Sequence, residues 1–342
     1  MPSFFFDYKK GIINVDTIYT SIYNEINNQR QNYMKELNIN SYQGGRYMSD
    51  IIEIKNISKD YGNGKGIFDI NLSVRKGEVF GFLGPNGAGK TTTIRNLMGF
   101  IRPDKGSCNI GGLDCYKDAS KIQEKLGYLA GEIVFLDDLT GKQMLEFIAS
   151  MKGITDKSKM YELMEMFELD SKGKVKKMSK GMKQKIGIIC AFMNDPDVII
   201  LDEPTSGLDP LMQNRFIDLI LDEKKRGKTI FMSSHIFEEI ERTCDRTAII
   251  KDGKIVAIED MENLRQKKSK YYTVTFNSEE DANKFENEDL NIMERKGTKI
   301  KVGVKGEIVT FIKLLSKYQI KDLDVETQTL EELFLHFYGG EK

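Results

Sequence analysis

The stretch of sequence that decides the fold is Gly84-Pro85-Asn86-Gly87-Ala88-Gly89-Lys90-Thr91, which matches the pattern GxxxxGK[ST]. It follows a short apolar run, Val79 to Leu83, and precedes residues from Thr91 to Met98 that can form a helix. Glycines in such a loop let backbone N–H groups approach phosphate oxygens, because no Cβ stands in the way. We expect the Lys90 ammonium to reach the β- and γ-phosphates of a nucleotide and the Thr91 hydroxyl to hold Mg²⁺. The stretch therefore predicts a phosphate-binding loop between a strand and a helix.

Two acidic residues follow a second apolar run. Asp202 and Glu203 come directly after Val198 to Leu201, a run with the length of a buried strand. An acid at the end of a buried strand is where a P-loop enzyme places its Mg²⁺ ligand, so we expect Asp202 to serve as one. Glu203 is then placed to orient or deprotonate the attacking water.

A third segment, Ser179-Lys180-Gly181, leads into a helix that ends by Asp195-Pro196. The apolar positions of this helix share one face: Ile186, Ile189, Cys190 and Met193. A Ser-x-Gly entry to a helix N-terminus is a natural anion site. By itself the segment is better explained as a plain helix cap than as an anion site.

In their order along the chain, these segments resemble the ATP-binding subunit of an ABC transporter, over about residues 50–262. The Walker A loop is then Gly84 to Thr92, the signature loop is Met178 to Met182, and the Walker B strand ends at Asp202-Glu203. A D-loop, Ser206 to Asp209, and a switch histidine, His235, follow in the family's order. The resemblance implies that Glu203 and His235 are catalytic. It implies these nucleotide-binding residues: Tyr61 stacked on adenine, Gly84, Pro85, Asn86, Gly87, Ala88, Gly89, Lys90, Thr91, Thr92, Ser179, Gly181 and Asp209.

The sequence departs from the family pattern in two places. Lys180 and Met182 replace the first Gly and the Gln of the usual Leu-Ser-Gly-Gly-Gln, a variant that resembles drug- and peptide-exporter subunits. In the Q-loop, Glu132 stands one residue from the expected Gln. We expect Mg²⁺ to be held by Thr91 and Asp202, with Glu132 as a candidate third ligand.

The chain is expected to contain an N-terminal extension (1–48), an ABC ATPase domain (49–266) and a C-terminal accessory domain (267–342). The ATPase domain is expected to be an α/β P-loop NTPase with a mainly parallel sheet and a helical subdomain. The accessory domain has the order βαββαβ plus a last helix, Thr329 to Tyr338, which predicts a small α+β ferredoxin-like fold. Within the extension, an amphipathic helix is predicted over about 16–38. Two explanations of this segment stay open. Either the helix binds a partner, or residues 1–47 are an extension outside the family pattern and the natural start is Met48.

Composition excludes several other classes of protein. Lys and Arg number 51 against 52 Asp and Glu in 342 residues, so no bulk positive charge is available to hold nucleic acid. No apolar run reaches the length of a membrane-spanning helix. The four cysteines show no zinc spacing, which favours reduced cytoplasmic thiols, and two histidines nearly exclude a multi-His metal site.

The resemblance implies hydrolysis of ATP with Mg²⁺ by two chains that sandwich two nucleotides, most simply a homodimer. It also implies a separate integral membrane permease, a location at the cytoplasmic side of the membrane, export as the direction of transport, and no nucleic-acid partner. Two other readings stay open. One is a soluble ABC factor acting on ribosomes or DNA, although the second cassette or long coiled-coil insertion typical of those proteins is missing. The other is a regulatory P-loop protein without turnover, against which Asp202, Glu203 and His235 argue.

Overall fold

The computed structural model describes residues 42–43, 46–47, 49–267, 270–304, 308–329 and 331–332. The chain divides into two units, residues 1–49 and residues 50–342. In the first unit, strands β1 (Tyr42–Gln43) and β2 (Arg46–Tyr47) pair antiparallel. The predicted helix over about 16–38 lies outside the described residues.

Strands and helices alternate through residues 50–267, as the sequence predicts. The strands are β3 (Asp50–Asp60), β4 (Gly66–Arg75), β5 (Val79–Leu83), β6 (Lys105–Ile110), β7 (Leu113–Asp114), β8 (Leu126–Leu129), β9 (Val198–Asp202), β10 (Thr229–Ser234), β11 (Arg246–Lys251) and β12 (Lys254–Asp260). The helices are α1 (Lys90–Leu97), α2 (Ala119–Lys125), α3 (Gly141–Met151), α4 (Ser158–Met166), α5 (Lys180–Phe192), α6 (Pro210–Lys225), α7 (Phe237–Thr243) and α8 (Met261–Lys267), with a 3₁₀ turn at Val175–Lys177.

A six-stranded sheet in the order β12-β11-β5-β10-β9-β8 forms the centre of this region. Its strands are parallel except β12, which runs antiparallel at one edge. Strand β5 is buried along its whole length, as expected for a central strand covered on both faces. The mainly parallel sheet is confirmed.

Successive residues of the central strands face two different cores. On β5, Val79 and Leu83 pack into the core that contains the helices α3 to α5, whereas Phe80 and Phe82 pack into the core against α1. This alternation follows from the pleat of a strand, which points neighbouring side chains to opposite faces. Phe231 of β10 stacks on Phe80 with ring centroids 5.9 Å apart, so the second core is aromatic at its centre. Two covered faces fix the register of the strands that carry the functional loops.

A second, antiparallel sheet has the order β4-β3-β6-β7. The sequence predicts only one part of it, a strand that opens at Ile51 to Ile54, within β3. The pairing of β3 with β4 is interrupted by register shifts, and Asn56 and Asp69 adopt left-handed conformations there. Bulges of this kind break the strict alternation of apolar and polar residues by which a strand is recognised from sequence.

Helices α3 to α5 form the predicted helical subdomain. Helix α3 begins at a capping box, in which Thr140 Oγ1 accepts from Gln143 N at 3.2 Å and Gln143 Oε1 accepts from Thr140 N at 2.9 Å. Ser179 caps α5, whose predicted apolar face is buried at Ile186, Ile189 and Met193 in the same core.

The C-terminal region forms its own sheet and core. Its elements are β13 (Lys270–Phe276), α9 (Glu279–Glu286), β14 (Asn291–Lys296), β15 (Lys299–Val304), α10 (Ile308–Leu315) and β16 (Ile320–Thr327). The sheet order is β14-β15-β13-β16 and every neighbouring pair is antiparallel, which confirms the predicted ferredoxin-like topology. The sequence predicts an amphipathic helix from Glu307 to Tyr318. Helix α10 ends at Leu315, because the chain tightens there into bonds such as Tyr318 N to Leu315 O.

At the end of this region, Thr329 and Glu332 form the reciprocal hydrogen bonds of a capping box. They lie where the last helix, Thr329 to Tyr338, is predicted to begin. The rest of that helix lies outside the described residues.

Candidate functional site

The phosphate-binding loop connects β5 to α1, as predicted. A Cβ at Gly84 would lie 2.4 Å from the carbonyl oxygen of Ile250, so only glycine fits where the loop leaves the strand. Gly89 has a φ of 111° just before α1, a backbone conformation that L side chains rarely adopt. The first turn of α1 therefore begins directly at Lys90, and its free N–H groups face the loop.

The Lys90 side chain is folded into this loop and is only 4% exposed. Its Nζ donates hydrogen bonds to Gly84 O at 2.6 Å and Pro85 O at 3.1 Å, and it pairs with Glu203 Oε1 at 2.9 Å. A buried ammonium needs such partners, since burying an unpaired charge is costly. These three oxygens therefore hold the cation at the position where phosphate oxygens would bind.

Asp202, at the end of β9, is fully buried. Ser233 on the neighbouring strand donates its hydroxyl to Asp202 Oδ1 at 2.6 Å. Asp202 Oδ2 accepts no hydrogen bond from the described residues, and a Cβ on Gly131 would lie 2.9 Å from it. A buried carboxylate oxygen without a donor is an oxygen ligand for a hard cation. The residues present therefore fit the Mg²⁺ that the resemblance implies.

Glu203 directly follows Asp202 in a left-handed conformation, with φ of 50°. Such a conformation costs about 1 kcal/mol or more in a non-glycine residue and is found at functional sites. It is held by the hydrogen bonds from Glu203 N to Ser233 O at 3.3 Å and Ser233 Oγ at 3.1 Å. His235 Nδ1 lies 2.6 Å from Glu203 Oε2. Lys90, Glu203 and His235 thus converge, although Lys90 begins α1, Glu203 follows β9 and His235 follows β10.

The signature loop is packed against the D-loop of the same chain. Ser179 Oγ accepts from Met182 N at 3.2 Å, and Lys180 Nζ donates to Ser206 Oγ at 2.7 Å. A Cβ on Gly181 would lie 2.6 Å from the carbonyl oxygen of Gly207. Ser179 can therefore cap the helix and still bind an anion, because the cap uses a lone pair of the hydroxyl oxygen and leaves its O–H group as a donor.

Two further predicted residues, Asp209 and Tyr61, lie at the periphery. Asp209 caps α6, where its Oδ1 accepts from Met212 N at 3.0 Å. Tyr61 is 54% exposed in the turn between β3 and β4. Strand β4 reaches the phosphate-binding loop through Gly253, which accepts from Phe68 N and donates to Ala88 O.

Glu132 is exposed and lines a cleft of about 500 Å³ beside the helical subdomain, whereas Gly131 lies against Asp202. The cleft is mostly apolar, with Tyr128, Val134, Phe135 and Ile148 among its walls. Lys152 also lines it, and burial lowers the pKa of the Lys152 ammonium. Burial and the charge of Asp202 raise the pKa of Tyr128 to about 12, so this phenol stays protonated at neutral pH.

Two residues that hold the site together were missed from sequence. Gln184 of α5 donates to Pro204 O at 2.7 Å and so ties the signature helix to the turn after Glu203. Ser233 contacts both Asp202 and Glu203. A polar residue inside the buried strand β10 was the available signal for Ser233, whereas nothing local distinguishes Gln184 from a solvated helix residue.

Comparison with known proteins agrees with this geometry. A family model described as ABC transporter matches residues 67–206. The uncharacterized ABC transporter ATP-binding protein YhcH of Bacillus subtilis is 36% identical over 303 residues, covering 86% of this chain and 98% of that protein. The bacitracin transport ATP-binding protein BcrA of Bacillus licheniformis is 40% identical over 227 residues, covering 66% and 74%. The dimeric structure of MJ0796, a bacterial ABC transporter cassette, matches with a TM-score of 0.56 and 25% identity, covering 61% and 98%.

The fold and the site define a P-loop ATPase of the cassette type. The chain belongs to the ATP-binding proteins of ABC transporters. It binds and hydrolyses ATP, and this hydrolysis powers the transport of a substrate across a membrane. Among the described residues, no helix is both long and apolar enough to cross a bilayer.

Proposed function

We propose that two copies of this chain hydrolyse ATP at their shared interface and drive export through a separate integral membrane permease. The observation that carries the proposal is the convergence of Lys90, Glu203 and His235, with Glu203 held 2.9 Å from the cation and 2.6 Å from the imidazole. Carboxylate, imidazole and ammonium at these distances suit a general base, a group that orients it, and a charge that binds phosphate.

In this proposal, Lys90 exchanges Glu203 for the β- and γ-phosphates when ATP enters the loop. The amides from Gly84 to Thr92 bind the same phosphates, and Tyr61 stacks on the adenine. Asp202 and Thr91 hold Mg²⁺, which neutralises phosphate charge when it is bound. Once released from Lys90, Glu203 accepts a proton from the attacking water, and His235 keeps its carboxylate oriented.

A second copy of the chain completes each site. Ser179 and Gly181 lie at a helix N-terminus whose neighbouring contacts, Ser206 and Gly207, belong to the D-loop of the same chain. The signature loop and Asp209 are then available to the nucleotide of the partner. The dimeric cassette to which this chain is similar supports a pair rather than a single copy.

The cleft beside the helical subdomain is the proposed docking site of the permease. Its apolar walls and the Lys152 ammonium suit an amphipathic segment that carries a carboxylate. Docking there places the chain at the cytoplasmic face of the membrane. The drug-related name of one relative, the bacitracin transport protein, supports export as the direction.

Substitution of Glu203 by Gln tests the catalytic assignment. The amide keeps the shape of the side chain but cannot accept the proton, so turnover should fall by at least about a hundredfold. Binding of ATP should persist, and the two chains should remain associated in the presence of ATP. The measurements are phosphate release and sedimentation with and without ATP.

Glu238→Gln is the matched control, because Glu238 is an exposed carboxylate on the helix that follows His235. It should leave turnover unchanged. If Glu203→Gln hydrolyses ATP at the rate of this control, Glu203 is not the general base and the proposed mechanism fails.

A further inference from the structure

Glu239 lies on α7, close after the catalytic histidine, and is only 4% exposed. Burial raises the pKa of this carboxyl to about 7, the hydrogen bond from Ser234 opposes the rise, and the charge of Glu203 adds to it. An ionised carboxylate inside a protein is unfavourable unless hydrogen bonds compensate for the lost water. The partners of Glu239 therefore show what the residue does.

Its main partner is Ser234, the residue directly before His235. The Ser234 hydroxyl donates to Glu239 Oε2 at 2.5 Å and accepts from Ile236 N at 2.9 Å. The Ser234 carbonyl oxygen accepts from Gly84 N at 3.2 Å. Ser234 is thus bound on three sides, and its bonds join the turn that carries His235 to the first glycine of the phosphate-binding loop.

A second neighbour of Glu239 lies in the turn after Glu203. The Thr205 side chain is buried there, and Thr205 O accepts from Leu208 N at 3.0 Å in the D-loop. Glu239, Thr205 and Pro210 also line a cavity of about 150 Å³ between α6 and α7. The carboxylate therefore lies between the turn of the switch histidine and the turn that begins the D-loop.

The His235 side chain itself is 47% exposed. Little packing holds its ring, so its 2.6 Å approach to Glu203 depends on the conformation of the turn from Ser234 to Ile236. We propose that Glu239 is a positioning residue for hydrolysis: its carboxylate fixes the Ser234 hydroxyl and thereby the turn that presents His235 to Glu203. The inference rests on the proposed catalytic roles of Glu203 and His235.

Two substitutions of Glu239 in the full chain test the positioning role. Glu239→Leu has a similar volume but no acceptor, so kcat should fall by about tenfold to a hundredfold. KM for ATP should change less than about threefold, because no phosphate contact is lost. Glu239→Gln keeps an acceptor for the Ser234 hydroxyl and should restore kcat to within about threefold of the unmodified chain. Each rate is divided by the folded fraction measured by circular dichroism.

The matched control is Glu78→Gln. Glu78 is also a buried carboxyl whose pKa burial raises, but it lies at the opposite end of β5 from the phosphate-binding loop, where it pairs with Arg246. Its loss should lower stability and leave kcat of the folded chain unchanged. If Glu239→Leu lowers kcat no more than this control, Glu239 is only structural and the inference is overturned.

Ser234→Ala breaks the same hydrogen bond by removing its donor. This variant tests the proposal if Glu239→Leu does not fold. It should lower kcat alone, and adding Glu239→Leu should lower it no further, since both changes break one bond. Additive losses would overturn the inference. Failure of the proposed mechanism can be told apart from failure of the positioning role. If the mechanism is wrong, Glu203→Gln and His235→Ala leave turnover intact. If only the positioning role is wrong, those two variants are inactive and the Glu239 and Ser234 variants keep their turnover.

Discussion

The buried carboxyl of Glu239 should make stability depend on pH in a direction opposite to that of most acidic residues. Its pKa is about 7 in the folded chain against 4.5 when it is solvated. Between these values the folded chain holds a proton that the unfolded chain has released. Raising the pH through this window therefore costs stability, and the loss stops growing once the pH exceeds the folded pKa. Glu239→Gln, which does not ionise, should escape this loss.

The size of the effect follows from the two pKa values. A shift of this size corresponds to about 3 kcal/mol in full, of which about 2 kcal/mol develops between about pH 5.5 and pH 8. Glu239→Gln should therefore gain about 2 kcal/mol in the free energy of unfolding relative to the unmodified chain across that interval. Urea denaturation followed by circular dichroism at both pH values measures the difference.

Glu238→Gln supplies the control for this measurement, since it removes an exposed carboxylate from the same helix. Its difference from the unmodified chain should stay within about 0.5 kcal/mol at both pH values. A constant difference for Glu239→Gln, or one that shrinks as pH rises, would refute the reasoning, because the carboxyl would then ionise as readily in the folded chain as in water.

Two further substitutions test other parts of the structure. Gly181→Ala places a Cβ 2.6 Å from Gly207 O, so turnover should fall about tenfold or more while ATP binding to the phosphate-binding loop persists. Gly173→Ala is the control, because a Cβ at Gly173 meets open space. Equal turnover in the two variants would contradict the close packing of Gly181 against Gly207. Thr140→Ala removes the acceptor of Gln143 N, so the free energy of unfolding should fall by about 1 kcal/mol in urea, and an unchanged value would mean that the cap adds nothing.

The parts of the fold that could be predicted are those in which one local pattern suffices. The apolar runs before Gly84 and Asp202 are buried strands, and the Thr140–Gln143 pair forms the capping box that its spacing indicates. The antiparallel sheet was missed because its strands carry bulges, as at Asn56 and Asp69, where the period of alternation changes. A pattern with a fixed period cannot describe a strand whose period shifts along its length.

The same distinction holds for the candidate site: some of its residues can be predicted from a local pattern and others cannot. Lys90 is recognisable because phosphate binding restricts the residue type within the glycine-rich loop, whereas His235 is singled out only by the resemblance to the family. Glu239 carries no such signal: on a short helix next to Glu238 it reads as one of two solvated acids, and only one of them is buried. What separates them is the hydrogen bond that Ser234 donates to Glu239 and the burial of Glu239 near Thr205, a residue that comes from a different loop. Residues that act through others are therefore invisible to motif reasoning, because their partners are chosen by the tertiary fold rather than by distance along the chain.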